Sequence, residues 1–255
     1  MDAGSTALLA LAGTGAGAVN AIAGGGSLIT FPALLALGYP PVIANVTNTV
    51  SAFPGYIGGA LGYRRELAGQ RRRLAVLAAV TVVGAIGGSA LLLAGSEQTF
   101  VNIVPWLILA STLLLAVQPL ITRITNRRRD PSTTRERLGW SSLGQLGVAA
   151  YGGYFNAGLG IMMLGVLGIT TRAGFQELNG LKSALSAVAS AVSLVFFGIF
   201  ATVSWPAALI MAGANLLGGW LGALLGRRIP TGPLRWSVVA VGLVIFVVML
   251  VDHAS

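Results

Sequence analysis

Cysteine is absent from the chain, which rules out a disulfide, a thiolate metal site and a cysteine nucleophile. Acidic residues number only 7 and histidine 1 among 255 residues. That histidine, His253, stands at the far C-terminal end, so no Ser/His dyad is available to a reactive serine and an enzyme is not expected. Charged residues make up 9% of the sequence, against ~25% in a soluble domain. No Asp or Glu lies deep in an apolar segment, and Glu177, at the start of one, comes nearest. A carboxylate proton relay, a carboxylate Na⁺ site and a cationic substrate are therefore disfavoured. The N-terminal MDAGST lacks the basic run of a cleaved signal peptide. GTGAGAVN lacks the third glycine and the preceding strand of a dinucleotide loop.

What the chain has is apolar surface: 55% hydrophobic residues and a mean hydropathy of +0.82. It reads as an all-α polytopic protein of the lipid bilayer. Apolar segments run over 6–37 (broken), 42–61, 74–94, 102–122, 141–168 (broken), 178–199, 203–225 and 235–251. The net charge of +9 belongs to the loops between them, where it sets orientation in the bilayer and does not mark a nucleic-acid binder.

The organising stretch is TGAGAVNAIAGGGSLITFPALLALG, residues 14–38. Each glycine costs ~1 kcal/mol relative to alanine inside a helix, so Gly24-Gly25-Gly26 predicts a break, with Ser27 as N-cap of the helix that follows. That second run, about 10 residues at ~1.5 Å each, covers roughly half of a ~30 Å hydrocarbon core. Two helices then meet inside the membrane, and the second presents its free N–H groups and positive dipole end there.

The sequence repeats at an offset near 131 residues: Gly87-Gly88 matches Gly218-Gly219, Gly95 matches Gly226, and Asn48 matches Asn179. The second broken segment, NAGLGIMMLGVLG, answers the glycine triplet with Asn156, Gly158 and Gly160. Three parts follow: a first membrane repeat over 1–122, a basic cytoplasmic linker over 123–140, and a second membrane repeat over 141–255. If each broken segment is a re-entrant hairpin, each half makes three crossings, the halves are inverted, and all 16 Lys and Arg gather on or near one side, as cytoplasmic basic loops do. Both termini would then lie outside the cytoplasm. If the broken segments cross instead, the halves are parallel and the basic residues divide between the two sides.

Inverted repeats with helices broken near the midplane are a pattern of secondary transporters, with anionic groups at half-helix N-termini. Candidate donors are the backbone around Gly24, Gly25, Gly26, Ser27 and Leu28, and around Asn156 to Gly160. Asn45, Thr47 and Asn48 in ANVTN, and Asn179, Lys182 and Ser183 in LNGLKSA, place amides, hydroxyls and one cation on the neighbouring helices. Ser186, Ser190 and the pairs Gly58/Gly62 and Gly84/Gly88 read as helix packing. Lys182 is either a snorkelling anchor or the partner of an anion.

AGGGSLITFPALLALGYPP, ANVTN, NAGLGIMMLGVLG, LNGLKSA and NLLGGWLGALLGRRIP resemble the TauE/SafE family of sulfite-exporter-like bacterial membrane permeases across nearly the whole chain. The resemblance implies an inner-membrane carrier of sulfite, a sulfonate or another organosulfur or carboxylate anion. It implies Gly24, Gly25, Gly26, Ser27, Pro32, Asn48, Asn179 and Lys182 at the site, with no cofactor. Asn156-Ala157 departs from the family's glycine-rich pattern. An anion channel lined by the same tips is the alternative function. A coupling ion, H⁺ or Na⁺, and a homodimer remain open.

Overall fold

The computed structural model describes residues 1–22, 24–127, 138–171, 173–225 and 231–254. Most of the basic 123–140 linker, together with Arg172, Arg227 and Arg228, lies outside them. The described residues form helices α1 (Ala3–Ile22), α2 (Ser27–Ala36), α3 (Pro41–Gly62), α4 (Arg71–Ala94), α5 (Glu97–Arg127), α6 (Leu138–Tyr154), α7 (Leu159–Thr170), α8 (Phe175–Phe200), α9 (Trp205–Leu225) and α10 (Thr231–Ala254), and no strand. Of these, α1, α4, α5, α8 and α9 are long and apolar enough to span a bilayer.

Glycine sets the breaks. Gly24 and Gly25 adopt φ of +79° and +107°, and Gly158 adopts +76°, a region that other residues enter at a cost. Gly38, at φ +81°, closes α2: Tyr39 N donates to Leu34 O at 3.2 Å and Gly38 N to Leu35 O at 2.9 Å, the two bonds of a Schellman end. Pro41 then opens α3 at its first position, where a missing N–H costs nothing.

Both broken segments fold back on themselves. A Cβ at Gly26 would fall 2.1 Å from Ala16 O, and one at Gly15 would reach 3.8 Å from Ile29 Cδ1. Helix α2 therefore returns along α1. In the second half, Gly152 lies against Leu159 and Gly144 against Val166, so α7 returns along α6.

Small residues let the longer helices close on these hairpins. Gly17 abuts Asn215, Gly218 abuts Thr14 and Gly222 abuts Ala18, so α1 and α9 run parallel. Gly88 abuts Ala150 and Gly84 abuts Leu146, so α4 and α6 run parallel too. One glycine of each matched pair, Gly88 on α4 and Gly218 on α9, presses on a hairpin's first arm, so α4 and α9 each clasp one, whereas Gly87 meets nothing within 4 Å and Gly219 abuts Gly55 of α3. Gly58 and Gly62 pack on Trp220 and Ala223 of α9, as expected for packing glycines. The third helices, α3 and α8, run antiparallel, with Gly59 facing Ser183 and Gly180 facing Tyr63 and Leu67.

Candidate functional site

The two hairpin tips touch. A Cβ on Gly24 would lie 2.8 Å from Ile161 N, and one on Gly160 would lie 3.0 Å from Gly24 Cα. Only glycine permits that approach of backbone to backbone. Phe31 of α2 meets Phe155 of the second tip edge to face, with centroids 5.5 Å apart.

Within the first tip the donors are largely matched internally. Asn20 Oδ1 accepts from Gly25 N at 3.2 Å and Gly26 N at 2.7 Å. Leu28 N donates to Gly25 O at 3.0 Å. The amides expected to face an anion at Gly25, Gly26 and Leu28 are thus held by the turn itself, because the returning chain passes over the Asn20 side chain. Ser27 is the first residue of α2 and makes no capping bond; Gly26 takes the N-cap position. Its Oγ is buried and unpartnered, a donor left over at the tip.

The second tip leaves a donor of its own. Tyr56 of α3 donates to Asn156 Oδ1 at 3.3 Å, which leaves Asn156 Nδ2 buried without a partner. The tip is anchored from behind at Ala157 O, which accepts from Ser111 Oγ at 2.9 Å and Tyr151 OH at 2.7 Å.

Side chains from the third helix of each half close the broken helices of the other. Lys182 of α8 donates from Nζ to Ala21 O in the last turn of α1 at 3.1 Å, and to Asn179 Oδ1 at 3.1 Å. Its stem runs beside Gly160, whose Cβ would lie 3.2 Å from Lys182 Cδ. Asn45 of α3 donates from Nδ2 to Tyr154 O, the last residue of α6, at 2.9 Å. A helix C-terminus leaves carbonyls unsatisfied and carries partial negative charge, so N–H donors from an amine and an amide suit these places.

The structure therefore brings Gly24, Gly25, Gly26, Ser27, Asn156, Gly158, Asn179, Lys182 and Ser183 around one crossing. Ser183 Oγ is buried and unpartnered beside Gly59. Asn48 accepts from Thr30 of α2 at 2.5 Å. Thr47 looks elsewhere, its Oγ1 accepting from Ser204 N at 3.1 Å in the α8–α9 turn. Lys182 sits two turns into α8 and has no exposed surface, so it does not snorkel. Sequence reasoning missed Asn20, Thr30 and Tyr56. A lone amide four residues before the triplet was a signal for Asn20; nothing marked Tyr56, whose partner lies 100 residues away. An open cavity of about 420 Å³ lies where the start of α3 meets the α4–α5 and α8–α9 turns, lined by Pro40, Ile43, Leu92, Glu97, Phe200 and Thr202 among others.

A polytopic helical bundle with two broken hairpins and buried, unused donors at their meeting point is the build of a membrane transporter. The chain belongs to the sulfite exporter TauE/SafE family, whose model matches residues 9–249. It is 29% identical over 222 residues to a probable membrane transporter protein of Haemophilus influenzae, covering 85% of this chain and 83% of that one. It is 28% identical over 216 residues to the probable membrane transporter protein YfcA of Escherichia coli K12, covering 84% and 76%. A probable membrane transporter protein, ORF9, of a Sinorhizobium species is 28% identical over 215 residues, covering 84% and 78%. No solved structure matches the chain.

Proposed function

We propose that this multi-pass membrane transporter is a carrier of a small anion, such as sulfite, a sulfonate or another organosulfur or carboxylate anion, across the bacterial inner membrane. The observation that carries the reading is the set of buried donors left unpaired at the hairpin tips and at the α3–α8 contact beside them, Ser27 Oγ, Asn156 Nδ2 and Ser183 Oγ, together with the buried Lys182 nitrogen. A buried donor without a partner costs about 1–3 kcal/mol, and an anion supplies what all of them lack. The family's name points the same way, since it speaks of sulfite export.

The halves act as inverted repeats, a relation supported by the antiparallel course of α3 and α8 and by the equivalent hairpin contacts of α4 and α9. The hairpins are re-entrant, the basic loops cytoplasmic and the termini external. The solute binds between the tips, and one half rocks against the other to expose it alternately. The cavity at Pro40, Ile43 and Thr202 is the approach from the side opposite Arg64 and Arg65.

The test is a thermal-shift screen of the purified chain against sulfite, thiosulfate, methanesulfonate and small carboxylates. A ligand at 100 times its Kd stabilises the folded state by about 2.7 kcal/mol. Counterflow of the hit in vesicles identifies a carrier; a non-saturating, voltage-scaled current identifies a channel. If no anion shifts the melting curve or crosses the vesicle membrane, the reading fails.

A further inference from the structure

Lys182 is the one fully buried cationic side chain among the described residues, and both of its partners are uncharged. A neutral amine has two N–H donors and a lone pair; an ammonium has three donors. Ala21 O and Asn179 Oδ1, each at 3.1 Å, match both N–H donors of the neutral form. The ammonium is one partner short, and an ammonium buried without a counter-charge is costly.

Among the described residues, no carboxylate bonds to Lys182. Helices α1, α2, α3 and α7 contain no Asp, Glu, Lys, Arg or His. The titratable group that α3 turns towards the crossing is Tyr56, bonded to Asn156. Helix α6 contributes Tyr151, which donates to Ala157 O, and Tyr154. On α8 itself Glu177 is engaged by Gly174 N in the first turn. Helix α4 packs on α8 in parallel, with Ser89 beside Ser193, so its loop-facing Arg71, Arg72 and Arg73 lie at the same end as Lys182, about two turns nearer the loop, and the segment beside Gly180 carries Tyr63, Arg64, Arg65 and Glu66.

The position matters as much as the charge. In carriers with broken helices, the carbonyls at half-helix C-termini hold the coupling cation. Ala21 O is such a carbonyl, and Lys182 Nζ sits on it. Resting on the anion-carrier reading, we infer that Lys182 carries the coupling ion, a proton, and that transport needs no Na⁺. The amine is neutral in the empty site and gains one H⁺ as the anion enters: R–NH₂ + H⁺ + A⁻ gives R–NH₃⁺·A⁻. The third N–H then points at the anion, and a neutral pair crosses.

Two measurements test this. Without any anion, the purified wild-type chain and Lys182→Met are melted from pH 6 to pH 9; Lys182→Gln replaces the Met variant should the latter not fold. A titrating Lys182 makes the two melting temperatures diverge by roughly 3–5 °C per pH unit, and parallel curves overturn the proposal. In vesicles, labelled methanesulfonate, sulfite and thiosulfate are offered under an acid-outside gradient at zero membrane potential. One proton per monovalent anion accumulates the probe about tenfold per pH unit, a Na⁺ gradient accumulates none, and Lys182→Arg, always charged, loses the pH-driven accumulation. Uptake driven by Na⁺, or indifferent to pH, overturns the coupling alone. Failure of every probe to move in the wild type, with the melting curves still divergent, overturns the anion reading and the coupling with it.

Discussion

At the scale of single residues, the tip of the first hairpin depends on an amide that reads both ways along the chain. Asn20 is still inside α1, yet its Oδ1 accepts from two amides beyond the break. Asn20→Ala strips both donors of their acceptor in a buried turn, a loss of about 2–4 kcal/mol at 1–3 kcal/mol per group with some relaxation. For a chain of this size that lowers the melting temperature by roughly 2–4 °C per kcal/mol, read by thermal unfolding in detergent. Asn20→Asp separates stability from function. The carboxylate accepts the same two bonds, so the fold is expected to hold, but its negative charge beside the crossing repels an anion. Melting near the wild-type temperature with at least tenfold weaker anion binding is the expected result; unchanged affinity would place the solute elsewhere.

Elements are held together by where glycine is and is not replaceable. On α4, Gly87 and Gly88 are adjacent, but a Cβ on Gly88 would fall 1.8 Å from Ala150 O while one on Gly87 would meet nothing within 4 Å. Gly88→Ala therefore pushes α4 off α6 and is expected to cost about 1–3 kcal/mol by overpacking. Gly87→Ala is expected to be neutral or to stabilise by up to ~1 kcal/mol through helix propensity. Melting the two variants side by side checks the helix contact, since both alter one glycine of the same dipeptide. Comparable losses in the two would refute it.

The breaks and the packing glycines were legible in the sequence because both are local: three glycines interrupt a helix wherever they occur, and small residues at helical spacing mark a close face. Segment ends were less so. Arg71, Arg72 and Arg73 belong to α4, because a helix can run past the hydrocarbon edge with charged residues in water. The partners of the site residues were not legible at all. Lys182 and Ala21 are separated by 161 residues, and Asn45 and Tyr154 by 109, so composition could nominate Lys182 and Asn45 but not the helix ends they close. The triplet suggested free amides; only the returning path of the chain shows that Asn20 takes two of them.

For the whole molecule, the reciprocal closure of helix ends ties the two halves into one unit. Lys182 in the second half holds the end of α1, and Asn45 in the first holds the end of α6, so neither hairpin tip is completed by its own half. In the mechanism proposed, rocking one half against the other would stretch or exchange these bonds, which would put the moving contact at the proposed binding site rather than at a distant hinge. The orientation follows from the same frame. Helix α4 runs from Arg71 to Ala94, about 36 Å at 1.5 Å per residue, enough to put the segment around Arg65 and the α4–α5 turn on opposite membrane faces. The cysteine-free sequence makes this directly measurable with single introduced cysteines and an impermeant maleimide. Gln98→Cys, next to the α4–α5 turn, is expected to label from outside intact cells, and Arg65→Cys only after the membrane is opened, as cytoplasmic basic residues should. A cysteine placed after the last residue is expected to label like Gln98→Cys, because the proposed three crossings in each half would bring the chain back to the side on which it began. Labelling of that terminal cysteine only in opened cells would mean that one broken segment passes through the bilayer, and the two halves would then no longer be inverted copies.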